Sequence, residues 1–180
     1  AGGRATRLGP LTAQMNKALV SVGQRPILGY QLEALRNYDV NDVTIVVSPG
    51  QVDQVSDFVR RSHAGLRQRI NIVVQETPLG PAHALGVGLR HTLDHGGPIF
   101  VLMADTFFEP LELHDARPDD WVGVEFPPTK RGWCYWDWKE WVEGETESHE
   151  VAVGLYRFND RERLEDAVQS ACMDSRGNGE

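Results

Sequence analysis

The segment VTIVV, Val43–Val47, is a run of five β-branched residues that decides the fold class of this chain. A continuous apolar run of this length is typical of a strand that is covered on both faces, as in a parallel sheet. The runs INIVV at residues 70–74 and IFVLM at residues 99–103 have the same apolar character. The three runs therefore predict three enclosed strands.

The segments between these runs have the periodicity of amphipathic helices. Pro26 is expected to open a first helix, a second should follow Gly50, and a third should run from Pro81 to about Leu93. Their predicted apolar faces are Leu28, Leu32 and Leu35 in the first helix and Val52, Val55, Phe58 and Val59 in the second. Strands that alternate with helices of about ten to fifteen residues predict an α/β fold with a parallel sheet and right-handed crossovers.

The character of the chain changes after Asp105. Segments 121–126 and 150–158 are predicted to be strands that add to the sheet in an antiparallel or mixed manner. Asp160 is expected to cap a last helix. The apolar face of that helix should consist of Leu164, Ala167, Val168 and Ala171. Because we find no internal repeat and no linker, we expect a single domain over residues 1–180.

Charge and composition restrict the function. The net charge of −8 argues against a general nucleic-acid or membrane-surface binder, since both need a broad basic face. The first 36 residues nevertheless contain five basic side chains and one acidic side chain, which favours a compact anionic ligand. The two cysteines have no disulfide or zinc spacing, so we expect a cytoplasmic protein. No apolar run approaches the roughly 20 residues of a membrane span.

The opening segment AGGRATRLGPLTAQMNKALVSV, residues 1–22, combines the glycine pair at positions 2 and 3 with Arg4, Arg7 and Lys17. Glycines allow backbone N–H groups to converge on an anion, and the basic side chains supply charge for a polyphosphate. Gln75 and Asp105 each follow a predicted strand, where ligand sites of parallel sheets lie. Simpler interpretations stay open: Lys17 as a solvated lysine, Gln75 as a residue that closes a turn, and Asp105 as a turn residue.

The opening segment resembles the signature of the nucleotidyltransferases that activate sugar 1-phosphates, AxGxGTRLxPLTxxxPKxLxPV. The resemblance continues in RPILGYQLEAL, QETPLGPAHALG, VLMADT and VAVGLYRF, in the family's order along nearly the whole chain. It implies a three-layer, Rossmann-like α/β sandwich with a mainly parallel, mixed sheet and helices on both faces. It also implies that the first strand and the C-terminal part of the family's domain are missing from this sequence, so we expect the natural chain to begin earlier.

The implied reaction is the Mg²⁺-dependent transfer of a nucleoside monophosphate from a nucleoside triphosphate to a sugar 1-phosphate, with release of pyrophosphate. The resemblance makes Arg7, Lys17 and Asp105 the catalytic residues, with Asp105 also the magnesium ligand. It assigns nucleotide binding to Gly2, Gly3, Arg4, Ala5, Thr6, Gln75, Pro78 and Gly80, and sugar binding to Glu143 and Gly154. The partners would be the two substrates, without nucleic acid or membrane, and a homo-oligomer is left open.

Three features depart from the family pattern. Ala5 replaces the second loop glycine, and Asn16 replaces the proline before Lys17, which should loosen the approach of that lysine. Gly144 stands where the family has a second lysine that faces phosphate. A catalytically silent homologue that acts as a regulatory or scaffolding subunit is therefore an alternative. A nucleotide-sugar glycosyltransferase is a second alternative, although the sequence after Asp105 lacks the DxD motif that such enzymes usually need.

Overall fold

Strands and helices alternate through the first half of the chain, and antiparallel strands follow. The structure is a computed structural model that describes residues 15–38, 40–62, 68–106, 120–125, 133–136, 141–144 and 151–173. Within these ranges the strands are β1 (Ser21–Val22), β2 (Arg25–Pro26), β3 (Asp42–Val47), β4 (Arg69–Val74), β5 (Ile99–Leu102), β6 (Trp121–Glu125), β7 (Trp133–Trp136), β8 (Trp141–Gly144) and β9 (Val151–Phe158). The helices are α1 (Ile27–Asn37), α2 (Val52–Ser62), α3 (Gly80–Leu89) and α4 (Arg161–Met173). A short 3₁₀ helix spans Lys17–Leu19.

Helix α1 begins where the sequence predicts it. Pro26 is its N-cap and has an extended backbone, with φ of −61°. This proline suits the start of a helix because it has no N–H group to leave unpaired. Leu28, Leu32 and Leu35 are all buried, so the predicted apolar face is confirmed.

The predicted βαβ arrangement is present around α2. Strands β3 and β4 pair in parallel, and the register runs from Asp42 opposite Arg69 to Val47 opposite Val74. Val55 of α2 is fully buried, and the other three residues of its predicted stripe pack against the same core. The hydrophobic core therefore lies between α1, α2 and the β3–β4 pair.

The strands after Asp105 are antiparallel, as predicted. Strand β9 pairs with β5, β6 and β7, and β7 continues into an antiparallel pair with β8. Since β5 pairs with β9, the strand that carries Asp105 at its end belongs to this antiparallel part of the sheet. The described strand pairs are thus both parallel and antiparallel.

An apolar cavity of about 490 Å³ lies between strands β3 and β5. Residues of α1, α3 and β9 complete its walls, so it is bounded by helices as well as strands. Among the strands that the structure describes, β3 pairs only with β4 and β5 pairs only with β9. The described strands on the two sides of this cavity therefore belong to two separate sheets.

Helix α3 ends earlier than the sequence predicts. Its last residue is Leu89, because the N–H groups of His91 and Thr92 both donate to the carbonyl of Gly88, which closes the helix in a turn. The N–H of Leu93 then donates to the Asp42 carboxylate at 2.9 Å. The chain is therefore drawn to the start of β3 instead of continuing the helix. No helix within the described ranges is both long enough and apolar enough to cross a membrane.

Helix α4 agrees with the prediction at its start and differs along its face. The Asp160 side chain accepts a hydrogen bond from the N–H of Arg163 at 3.0 Å, which confirms the predicted cap. Leu164 is buried, but Ala167 and Ala171 are exposed. The predicted four-residue apolar face is therefore wrong at both alanines, whereas Val168 is partly buried and faces Gly86 of α3.

Replacing Leu32 with alanine should destabilise the fold strongly. Leu32 is 1% exposed at the centre of the core, and a leucine-to-alanine change in such a site costs about 3 kcal/mol of the free energy of unfolding. Leu93→Ala is the matched control, since Leu93 is 48% exposed and should change stability by about 0.5 kcal/mol or less. Urea denaturation measures both values. Equal losses in the two variants would contradict the assigned core.

Candidate active site

An ion pair joins two of the three predicted catalytic residues. Lys17 Nζ lies 2.6 Å from Asp105 Oδ2, although the residues are 88 positions apart in the sequence. The side chain of Lys17 is 20% exposed and that of Asp105 is 55% exposed, so the pair lies at the protein surface. The structure thus brings Lys17 and Asp105 together, and their catalytic roles stay predictions.

The rest of the predicted phosphate loop lies outside the described residues. This applies to Gly2, Gly3, Arg4, Ala5, Thr6 and Arg7. Their assigned contacts with the nucleotide and with pyrophosphate stay predictions. The site is therefore built here from Lys17, Asp105 and the elements that hold them.

Lys17 is the first residue of the 3₁₀ helix, and Asn16 caps that helix. Asn16 Oδ1 accepts a hydrogen bond from the N–H of Ala18 at 2.8 Å. Nδ2 of Asn16 donates to Oε1 of Gln51 at 2.9 Å, and the backbone N–H of Asn16 donates to Oε1 of Gln54 at 3.1 Å. Because Asn16 is completely buried, these bonds form away from competing water.

The expectation that Asn16 loosens the approach of Lys17 is therefore wrong. A proline could restrict the backbone, but it could not donate the hydrogen bond that the N–H of Asn16 makes to Gln54. The asparagine instead connects the segment that carries Lys17 to Gln51 and to helix α2. The sequence shows that residue 16 is not proline, but it does not show which side chains surround that position.

Asp105 lies in a turn that follows β5. Backbone hydrogen bonds hold this turn at Met103 and at Thr106. The N–H of Thr106 donates to the carbonyl of Met103 at 3.1 Å, and the N–H of Met103 donates to the carbonyl of Gly154 at 2.7 Å. The side chain of Gln31 in α1 donates to the carbonyls of Met103 and Thr106, at 2.8 Å each. Strand β9 and helix α1 thus hold the turn from two directions.

Sequence reasoning missed Gln31, although a signal was present. Gln31 stands three residues after Leu28 and four before Leu35, so it lies on the apolar face of α1. A glutamine at such a position has to find buried hydrogen-bond partners. Its partners could not be identified from the sequence, because they are backbone carbonyls more than seventy residues away.

Gly154 was predicted to bind the sugar. In the structure it packs against the turn that contains Asp105. Its φ is +78°, and a Cβ built on it would lie 2.6 Å from Thr106 Oγ1 and 2.8 Å from the side chain of Met103. Both the backbone angle and the close approach require glycine. A contact between Gly154 and a sugar stays a prediction. Glu143, the other predicted sugar ligand, lies in β8, and its side chain is outside the described part of the structure.

Gln75 lies at the carboxyl end of β4, as predicted, and is 4% exposed. Its Nε2 donates to the carbonyl of Gly80 at 3.2 Å and lies 2.9 Å from Nδ1 of His83. Gly80 has a φ of +87° and begins α3, whereas Pro78 is exposed in the intervening loop. The side chain therefore fixes this loop, and its predicted contact with a base is untested.

Two opposing effects determine the pKa of Asp105. Partial burial raises this pKa, whereas the hydrogen bond and the positive charge of Lys17 lower it, and the net pKa lies below the ordinary value of 3.8. A folded-state pKa that is lowered gives stability that is present above 3.8 and is lost as the pH falls through the lowered pKa. Since an exposed ion pair stabilises a fold very little, this pair matters chiefly for where it places two charges.

The chemistry of Asp105 fits a magnesium ion that is shared with a substrate. Mg²⁺ in phosphate-transfer sites takes one or two carboxylates and completes its coordination with water and phosphate oxygens. Asp105 supplies such a carboxylate at an exposed position. Within the described ranges, no three His, Cys, Asp or Glu side chains converge on one point. The described donor set therefore suits a metal that arrives with a nucleotide.

The Lys17→Met variant should raise the pKa of Asp105. Without the ammonium group, the hydrogen bond and the positive charge of Lys17 no longer lower this pKa, so the carboxyl group should titrate at a higher pH than in the original protein. Carbon-13 NMR of the carboxyl group as a function of pH measures this directly. Arg60→Met is the matched control, because Arg60 pairs with Asp57 on α2. A pKa of Asp105 that is the same in Lys17→Met as in the original protein would contradict the assigned ion pair.

The Gly154→Ala variant should displace the Asp105 turn. The new methyl group would overlap Thr106 and Met103 at a positive φ, and such overpacking and strain cost about 1–3 kcal/mol each. Gly50→Ala is the control: it has a φ of +79° but nothing within 4 Å of the added carbon. Chemical denaturation should show a larger loss for Gly154→Ala, and equal losses would contradict the close packing.

Comparison with known proteins identifies the family. A family model described as nucleotidyl transferase matches residues 1–118. A probable mannose-1-phosphate guanylyltransferase 2 of Arabidopsis thaliana is 35% identical over 124 residues, which are 64% of this chain and 34% of the relative. The mannose-1-phosphate guanylyltransferase catalytic subunit beta of Xenopus tropicalis is 36% identical over 112 residues, 62% of this chain and 31% of the relative. The chain spans about a third of the length of these relatives.

Solved structures agree on the fold. A putative glucose-1-phosphate thymidylyltransferase from Bacillus anthracis has a TM-score of 0.74 at 22% identity, over 91% of this chain and 70% of the other. The CTP:phosphocholine cytidylyltransferase of Streptococcus pneumoniae has a TM-score of 0.73 at 21% identity, over 95% and 74%. These similarities show the Rossmann-like α/β fold that was predicted. Together with the match over residues 1–118, they show that the chain belongs to the nucleotidyl transferase family.

Proposed function

We propose that this protein transfers a nucleoside monophosphate from a nucleoside triphosphate to a sugar 1-phosphate, with Mg²⁺ as the metal. The products are a nucleotide sugar and pyrophosphate. One observation carries the proposal: the ammonium group of Lys17 lies 2.6 Å from the carboxylate of Asp105 at the end of β5. The pair supplies one cation for phosphate and one hard oxygen ligand for a metal at a single place.

The reaction needs charge neutralisation more than it needs a base. A phosphate oxygen of the sugar 1-phosphate attacks the α-phosphorus, a new P–O bond forms, and the bond to the bridging oxygen of pyrophosphate breaks. The attacking oxygen is already anionic, so no side chain has to remove a proton. Catalysis then depends on positioning the substrates and on stabilising the charge on the α-phosphate and on pyrophosphate.

Lys17 is suited to the phosphates at the reacting centre. Its backbone is fixed by the buried cap at Asn16, while its side chain keeps some exposure and can reach a ligand. An ammonium group is a compact point charge on a flexible stem, which suits a phosphate whose charge is redistributed during the reaction. Bound Mg²⁺ would be held by Asp105 and would add positive charge against the triphosphate.

The relatives indicate which substrates to test first. Both relatives described above are named as mannose-1-phosphate guanylyltransferases, at 35% and 36% identity. We therefore propose GTP and mannose 1-phosphate as the first pair. The structural neighbours are named for other bases, and at 22% and 21% identity they support the fold alone. The single domain over residues 1–180, the cytoplasmic location and a homo-oligomer stay predictions.

A silent regulatory or scaffolding subunit is the second candidate. It is favoured by Gly144, which ends β8 at the position where the family pattern has a lysine. Such a subunit would bind a nucleotide without turnover. The experiment below separates the two candidates, because it measures product release and nucleotide binding on the same preparation.

Pyrophosphate release tests the proposal. The protein with Mg²⁺ should release pyrophosphate from GTP and mannose 1-phosphate, within a panel of the four ribonucleoside triphosphates, dTTP and several sugar 1-phosphates. Lys17→Ala and Asp105→Asn should each lower the rate by about a hundredfold or more, as is usual when a group that stabilises transition-state charge is lost. Both variants should remain folded, because the ion pair lies at the protein surface, where such pairs contribute little to stability.

Two variants on the outer surface of α2 control for loss of charge alone. Arg60→Ala removes a cation and Asp57→Asn removes a carboxylate from another exposed ion pair. Both should keep the activity of the original protein. Nucleotide binding without pyrophosphate release across the whole panel would reject the enzyme and favour the silent subunit. Full activity in Lys17→Ala or in Asp105→Asn would remove that residue from the mechanism.

A further inference from the structure

Gln31 of α1 is buried beside the candidate site, and no step of the proposed reaction uses it. We propose that Gln31 is a positioning residue, which fixes the turn of Asp105 so that the carboxylate is held in place for a metal–nucleotide complex. This inference rests on the proposed function, since it concerns the assigned metal ligand. It adds a residue on another element, seventy-four positions before Asp105 in the sequence.

The geometry around Gln31 is specific. Its single amide nitrogen donates to the carbonyl of Met103 and to the carbonyl of Thr106, both at 2.8 Å. These two carbonyls stand on either side of Asp105 in the chain. One side chain therefore joins both ends of the turn, and it is only 6% exposed.

Few side chains could replace this amide. Two carbonyl oxygens need two N–H donors on one planar group, which an amide supplies. A glutamate would place a carboxylate against two carbonyl oxygens, and an aliphatic side chain would leave the carbonyl of Thr106 without this donor in a buried position. The orientation of the amide is also unambiguous, because both partners are acceptors.

The turn has little freedom to compensate for a lost bond. Gly154 packs against Met103 and Thr106 from the side of β9, and its carbonyl accepts a hydrogen bond from the N–H of Met103. Helix α1 is in turn anchored in the core by Leu28 and Leu32. The amide of Gln31 is the connection through which this rigid helix sets the position of the Asp105 turn.

Lys17 is held by a different set of contacts. Asn16 bonds to Gln51 and to Gln54 of α2, whereas Gln31 of α1 bonds to the Asp105 turn. Loss of the Gln31 amide should therefore act on the turn that contains Asp105 and leave the backbone at Lys17 in place. This asymmetry separates a positioning role from general destabilisation.

The experiment compares Gln31→Met with Gln68→Met. Gln68 has the same chemistry away from the site, because its Nε2 donates to the carbonyl of Val40 at 2.8 Å and to that of Leu32 at 3.5 Å. For each variant one measures the Mg²⁺ concentration that gives half the maximal rate, the KM for the sugar 1-phosphate, and the melting temperature. Mn²⁺ binding in the presence of GTP, followed by electron paramagnetic resonance, gives a readout without turnover.

Gln31→Met should need about tenfold more Mg²⁺ and bind Mn²⁺ about tenfold more weakly, the usual loss when a residue that orients a metal ligand is replaced. Its KM for the sugar 1-phosphate should stay within about twofold. Gln68→Met should keep the metal dependence of the original protein even if its melting temperature falls equally. Unchanged metal affinity in Gln31→Met, or an equal change in both variants, would overturn the inference.

Failure of the proposed function is distinguishable from failure of this inference. If the original protein neither releases pyrophosphate nor binds Mn²⁺ with GTP, the proposed function fails. Amide hydrogen exchange of the peptide that contains residues 103–106 then decides the role of Gln31. Faster exchange in Gln31→Met than in Gln68→Met supports a role in fixing the turn, and identical exchange overturns it.

Discussion

The contact between Lys17 and Asp105 is the interaction on which the organisation of this site depends. It joins the segment before α1 to the end of β5, and each partner needs a separate part of the fold to hold it. Such an exposed pair contributes little to stability, so the surrounding structure is not arranged to make the pair strong. It is arranged to place one cation and one carboxylate side by side where a phosphate and a metal could both reach them.

Buried amide side chains do most of this placement. Asn16 fixes the 3₁₀ helix that starts at Lys17, and Gln31 fixes the turn that contains Asp105. Both amides are at least nine-tenths buried, and both bond mainly to groups far away in the sequence. A buried polar group is costly unless its partners are in place, so each of these amides favours one arrangement of the backbone around it. The charged pair is thereby positioned by neutral hydrogen bonds.

How much of the structure the sequence predicts depends on how far apart in the chain the interacting residues lie. The strand β3, the helix α1 and the stripe of α2 depend on local periodicity, and the structure has them as predicted. The end of α3 was predicted wrongly, because the chain beyond it turns to Asp42, which accepts from the N–H of Leu93, fifty-one positions later in the sequence. Lys17 and Asp105 were assigned through the resemblance to the family motif, since the residues alone left a solvated lysine and a turn residue as open interpretations. Asn16 and Gln31 were misjudged or missed, because a buried amide has meaning only through partners that the sequence does not reveal.

The most direct test of the account is a double-mutant cycle on the binding of Mg²⁺–GTP. The dissociation constant is measured for the original protein, Lys17→Ala, Asp105→Asn and the double variant. If the two side chains form one site for phosphate and metal, their effects are coupled, and the double variant should bind about as weakly as the weaker single variant. Strictly additive losses would show two independent positions and would contradict the central claim that this contact is the core of the active site.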